Sequence, residues 1–214
     1  MKRVFVVLAA VTLASVGFGS AQTPPAAQSA APAQPPGPNT WQIDSNHSAA
    51  NFSVKHMMVS TVRGTLGRVS GTVEYDGTKV ESIKADVGID INGVNTGVQG
   101  RDNDLRSANF FDVATYPTAT FKSKRAEAAG AGRFRLIGDL TMHGVTKEVT
   151  LDVEGPSAPL KTQNGALRIG ASATTKINRR DFGLNYNRLV EAAAVVGDDI
   201  QVTIDIELTK RPAA

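Results

Sequence analysis

Apolar residues recur at every second position along most of this chain, and that period suits little but β-strands. Phe52, Val54, His56 and Met58 fall on one side of an extended segment, opposite Asn51, Ser53 and Lys55. Val69, Gly71, Val73 and Tyr75 alternate with Arg68, Ser70, Thr72 and Glu74, after which Asp76-Gly77 turns the chain. Ile83, Ala85, Val87, Ile89 and Ile91 make the longest inward row, and Phe134, Leu136, Gly138, Leu140 and Met142 make another. The pattern returns at Val149 to Val153, at Leu167 to Thr175, and most cleanly at Ile200 to Leu208. Each row is backed by polar residues, as in a sheet with one buried and one wet face.

About eight such strands, mostly joined by short turns such as His143-Gly144 and Asn164-Gly165, predict an all-β domain. Eight long antiparallel strands close naturally into a barrel that is either packed solid or holds one small ligand. The inward rows are rich in Val, Ile, Leu and Ala and are interrupted by Gly71 and Gly138. Small residues on an inward face leave room, so an open lumen is expected. A flattened sandwich would tolerate the same rows.

The stretch from Thr96 to Lys124 breaks the pattern. Arg101, Asp102, Asp104, Leu105 and Arg106 fall at helical spacing, which predicts ion pairs from Arg101 to Asp104 and from Asp102 to Arg106. Leu105, Phe110 and Phe111 supply an apolar plug, and Tyr116-Pro117 returns the chain to a strand. One short helix capping an all-β domain is the expectation.

Residues 1–21 have the plan of a secretory signal peptide: Lys2-Arg3, an apolar run from Val4 to Val16, and Gly19-Ser20-Ala21 as the cleavage site. Residues 22–39 hold six of the ten prolines and form a Pro/Ala-rich linker that cannot bury a core. The folded domain is expected over residues 40–210. The formal charge of +3 falls to +1 once Lys2 and Arg3 leave with the leader, and no basic stripe exists to attract nucleic acid.

Catalytic signatures are missing. There is no HExxH or paired-cysteine metal motif, no GxSxG elbow, and no cysteine to act as a thiol nucleophile. The adjacent Asp102 and Asp104 face different ways on a helix and make a poor acid/base couple. Neither a catalytic residue, a metal site nor a cofactor is expected.

Several blocks taken together resemble the YceI-like family. They open with Trp41, Ile43, Asp44, His47 and Ser48, then Phe52, Val54 and His56, then Gly64 and Gly71. Arg101-Asp102, Leu105-Arg106-Ser107, Phe110-Phe111-Asp112 and Tyr116-Pro117 follow, with Phe121 after them. Gly138, Leu140-Thr141, His143 to Lys147, Asn178-Arg179, Asp181 to Gly183, Leu189 to Glu191 and Val196 to Asp198 complete the set. The resemblance spans residues 41–209. It implies an eight-stranded antiparallel, lipocalin-like barrel in the periplasm, closed by a helix over Arg101–Phe111. Such a barrel would hold a polyisoprenoid, an isoprenoid quinone or polyprenol, or a similar long amphiphile.

On that basis the expected lumen is lined by Phe52, Val54, Met58, Val73, Val87, Ile89, Phe121, Phe134, Leu136, Leu140, Ile169 and Ile204. His56 and Arg101 are the candidates to meet a polar head at the rim, the other reading being a hydrogen bond that ties strand to helix. The expected partner is the lipid itself, with transient membrane contact during loading, and a homodimer is left open. The competing readings are an exported structural or stress-response barrel without a ligand, and an unrecognised hydrolase on the same fold.

Overall fold

Each alternating row is a strand in the computed structural model, which describes residues 37–211 apart from Arg188, Glu191 and Ala192. The expected leader, and all but the last three residues of the expected linker, lie outside the described residues. The strands are β1 Thr40–Ile43, β2 Ala49–His56, β3 Ser60–Glu74, β4 Lys84–Asp90, β5 Thr118–Ala128 and β6 Arg133–Met142. They continue as β7 Val145–Glu154, β8 Leu160–Lys161, β9 Leu167–Asn178, β10 Leu189–Val190, β11 Ala193–Ala194 and β12 Val196–Lys210. Strands β2 to β7 pair antiparallel in order, β7 pairs with β9, β9 with β12, and β12 with β2. That circuit is a closed barrel of eight strands.

One stave of the barrel is made of two pieces. β2 bridges β12 and β3 over part of their length, and β1 takes over further along. There β1 pairs Gln42 with Thr209 on one side and Trp41 with Val73 on the other. Trp41 is buried, and its indole nitrogen donates to the Tyr75 carbonyl at 3.2 Å.

Two bulges switch which parity of residue faces inward. On β3 the pairing steps from Thr65 to Gly67 as β2 steps from Asn51 to Ala50, so the inward set passes from Val62, Gly64 and Leu66 to Val69, Gly71 and Val73. On β5 the pairing skips Lys124, and Ala119 and Phe121 give way to Ala126. Bulges bend and coil the strands that carry them, which helps a sheet to close.

The inward glycines do not open the lumen as the sequence suggested. A Cβ on Gly138 would sit 2.7 Å from Ser123 Cα and 2.8 Å from the Phe121 ring. One on Gly71, whose φ is +134°, would meet the Asp86 carbonyl and lie 2.9 Å from Val87 Cα. Both mark places where neighbouring backbone closes in, and the space a side chain would take is already filled.

The helix α1, Gln99–Arg106, lies at one end of the barrel, together with the β2–β3 and β6–β7 turns and the β9–β12 connection. It ends earlier than expected: Ser107 caps it, its Oγ donating to the Asp104 carbonyl at 2.7 Å, and Phe110 and Phe111 follow in turns. The expected ion pairs do not form. Arg101 donates through Nε to Thr96 Oγ1 at 2.7 Å, Arg106 through Nη2 to the Val94 carbonyl at 2.6 Å, and Asp102 accepts from the Thr96 amide at 2.8 Å. These side chains satisfy backbone and hydroxyl groups of the chain entering the helix, which a charge partner on the helix surface could not do.

At the opposite end the β3–β4 turn is held by Asp76, which accepts from the amides of Thr78 at 2.7 Å and Lys79 at 2.9 Å. The Lys79 and Thr78 amides hold its carboxyl down to about 2, against 3.8 without them. The stability this turn contributes is therefore fully present above about pH 4 and disappears as pH falls toward 2. Carboxyl-carbon NMR should find Asp76 titrating near 2; an ordinary midpoint near 3.8 would remove the argument.

Candidate functional site

The barrel encloses about 1270 Å³ of atom-free space, its opening included, of which only about 140 Å³ admits the centre of a water molecule. The space is therefore a narrow slot. No polar atom of the described residues faces it. Its wall runs from Ile91, Met142 and Ile177 toward the helix-bearing end down to Tyr75, Ile83 and Pro156 toward the other.

The inner rows show where the slot is widest. Leu66, Val87, Ile89, Leu140, Val149 and Ile206 all face inward on the cavity wall, yet each is only half-buried. An inward aliphatic side chain in a filled core loses its accessible surface to its neighbours. These do not, because they border empty space.

Nine of the twelve expected lumen residues line this cavity: Val73, Val87, Ile89, Phe121, Phe134, Leu136, Leu140, Ile169 and Ile204. Phe52 and Val54 point inward but belong to a separate apolar cluster with Val94, Phe111, Phe182 and Leu184, which plugs the barrel beneath α1. Met58 is a correction. It is 74% exposed, because β2 ends at His56 and the alternation cannot be extended into the turn that follows. Leu66 went unrecognised because the Gly67 bulge reverses the parity of its strand; the glycine breaking an alternating run was the available signal.

The plug is anchored by Arg179, which is only 3% exposed. Asn178 accepts from the Arg180 amide at 3.0 Å and starts a tight turn over Arg179–Phe182, and Gly183 ends it with φ +75°. This turn drives Phe182 into the plug and points the Arg179 guanidinium inward. It donates to the carbonyls of Leu184, Tyr186 (2.8 Å) and Gly197 (3.1 Å) and to Asp198 Oδ1 at 2.9 Å. Burial draws this guanidinium below its usual range, and Asp198 opposes the change.

The two expected rim residues both lie at the helix-bearing end. His56 closes β2, paired with Ser60 and with Val196. Arg101 is half-buried, its Nε and Nη2 both committed to Thr96. Beside it Asp102 is buried, and the Thr96 hydroxyl holds its carboxyl below the usual range. Arg101 and Asp102 are thus both bonded to Thr96 at the entry to α1. Elsewhere Asp44, His47 and Glu207 bring possible metal-ligand atoms together, but Arg168 bridges the two carboxylates, 3.2 Å from Asp44. A guanidinium there supplies the positive charge that a cation would bring.

Comparison with known proteins gives one consistent result. A family profile described as the YceI-like domain matches residues 41–208. A UPF0312 protein of Staphylococcus aureus strain MSSA476 is 32% identical over 170 residues, covering 79% of this chain and 96% of its own. The crystal structure of a Campylobacter jejuni YceI protein superposes with a TM-score of 0.64 at 33% identity, over 74% of this chain and 90% of that one. A polyisoprenoid binding domain from Saccharophagus degradans shares the fold, with a TM-score of 0.60 at 22% identity over 80% of this chain and 98% of that one.

Proposed function

The chain belongs to the YceI-like family, and on that premise we propose that it is an exported, periplasmic carrier or buffer for one long-chain amphiphile held in its barrel. The ligand class is a polyisoprenoid, such as an isoprenoid quinone or polyprenol. The observation that carries the reading is the wholly apolar slot along which Leu66, Val87, Ile89, Leu140, Val149 and Ile206 face inward yet stay only half-buried. A solvent-filled apolar slot is unfavourable, and a hydrocarbon chain is the ligand that its width and lining suit. The Saccharophagus degradans domain, described as polyisoprenoid binding, points to the same class.

The same lining supports binding without turnover. Tyr75, Thr120 and Thr175 are the hydroxyl-bearing residues of the wall, but none turns its oxygen into the slot, and an isoprenoid tail needs no polar partner there. Burying a chain is worth about 0.8 kcal/mol per methylene against water. Against a bilayer, where the chain is already dry, most of that gain cancels. The barrel therefore exchanges its chain with membranes reversibly and acts as a buffer.

The test is native mass spectrometry of the protein purified from its own envelope, followed by solvent extraction, and repeated after incubation with liposomes containing a polyprenol. One prenyl chain per barrel is the expected result. A fatty acid or amide in the extract would keep the binding role and replace the lipid class. Bare protein after both treatments would defeat the reading.

A further inference from the structure

The hairpin formed by β2 and β3 ends in the turn His56-Met57-Met58-Val59, closed by the Val59 amide donating to the His56 carbonyl at 3.0 Å. Met57 and Met58 both adopt left-handed backbone, with φ of 51° and 57°. Those two positions ordinarily take Asn-Gly, which reach positive φ at little cost. Here they carry two long apolar side chains, and Met58 and Val59 are 74% and 86% exposed. Local backbone chemistry does not favour methionine there, and nothing among the described residues covers it.

The hairpin is also peculiar in charge. Residues 45–73 contain no Asp or Glu, although the whole chain has 20 acidic and 23 basic residues. Lys55 and Arg63 are exposed and form no ion pair among the described residues, where the nearby acids Asp198 and Asp199 are taken by Arg179, Arg180 and Lys176. Lys55 pairs with Thr61 and Arg63 with Ser53, the second and fourth residue pairs below the tip. At ~3.4 Å per residue, the two cations sit roughly 7 and 14 Å below it. Val98 and Tyr186, at the same end of the barrel, are half-exposed as well.

We propose that this hairpin docks the protein on a phospholipid bilayer: Met57, Met58 and Val59 enter the outer acyl region while Lys55 and Arg63 rest on headgroup phosphates. An apolar tip ~5–10 Å deep matches the spacing of the cations behind it. A protein partner fits less well. The exposed apolar surface of Met57, Met58, Val59, Val98 and Tyr186 amounts to roughly a few hundred Å², short of the ~800 Å² a side that a stable complex needs, and the hollow on the flank of the hairpin is half polar and lies below the apolar tip. The inference stands on the hairpin alone and does not depend on what fills the barrel.

Vesicle flotation tests it, using vesicles of phosphatidylcholine with and without phosphatidylglycerol. The wild-type chain should float with the anionic vesicles and be released by high salt. M57N/M58G installs the residues that the turn prefers, so the variant should keep or raise its melting temperature while its partition coefficient falls at least tenfold. K55E/R63E should lose the preference for phosphatidylglycerol. Equal flotation of M57N/M58G and wild type would overturn the proposal. Wild-type protein that stays soluble at every lipid concentration would overturn it too, and would leave the tip to a protein partner.

Discussion

Val87→Trp is expected to reduce uptake of a long chain below detection while the barrel stays folded. Val87 lies at mid-height on β4, paired with Gly71 on one side and Phe121 on the other, and borders the slot only half-buried. Only about 140 Å³ of the slot admits the centre of a water molecule, so an indole at Val87 is expected to leave no continuous path for a chain. The cost to the fold should be modest. Adding bulk to a filled core destabilises by about 1–3 kcal/mol, and a side chain entering empty space falls at or below that range. Uptake is read by native mass spectrometry after exposure to polyprenol-loaded liposomes, with circular dichroism and thermal melting as controls on folding. Val87→Ala should bind as wild type does. Wild-type uptake by a folded Val87→Trp protein would mean that the chain does not pass Val87, and would move the ligand out of the slot.

Arg179→Met should produce the largest loss of stability of any single change away from the slot. The substitution keeps the length of the side chain and removes every donor, leaving the Leu184, Tyr186 and Gly197 carbonyls and the Asp198 carboxylate without it. Breaking a buried charged network by removing one partner costs about 3–5 kcal/mol. For a domain of this size that lowers the melting temperature by roughly 6–20 °C. The effect should be local first: amide exchange at residues 184–187 should accelerate more than in β5 or β6. Arg179→Lys should recover only part of the loss, because an ammonium cannot reach three carbonyls and a carboxylate at once. A loss below about 1 kcal/mol would show that water replaces the guanidinium without penalty, and the plug would then rest on its apolar packing alone.

The barrel was legible because its signal is a period of two, and a half-buried sheet writes that period into every strand. Parity is what the rows could not carry through a bulge. The inward sets on β3 and β5 change from even to odd or the reverse at Gly67 and near Lys124, and a single row read along either strand loses its face there. Met58 failed for a related reason: Phe52 and Val54 predict an inward residue four positions on only while the strand lasts, and it ends at His56. The charged run in α1 suggested pairing within the helix because spacing is visible in sequence, whereas the backbone carbonyls of residues 92–96 that take up its arginines are not. Gly71 and Gly138 were read as vacancies, and only the approach of the neighbouring strand shows them to be occupied by backbone.

The divided stave gives the molecule a mechanical weak point. A load applied at Thr40 enters the barrel through β1, whose four residues lie outside the ring of β2–β7, β9 and β12 and can peel away without opening it. Such tension would draw Trp41 out from under Tyr75 and strip the cover from the end of the barrel farthest from α1. β1 thus works as a shear pin, yielding before the container does.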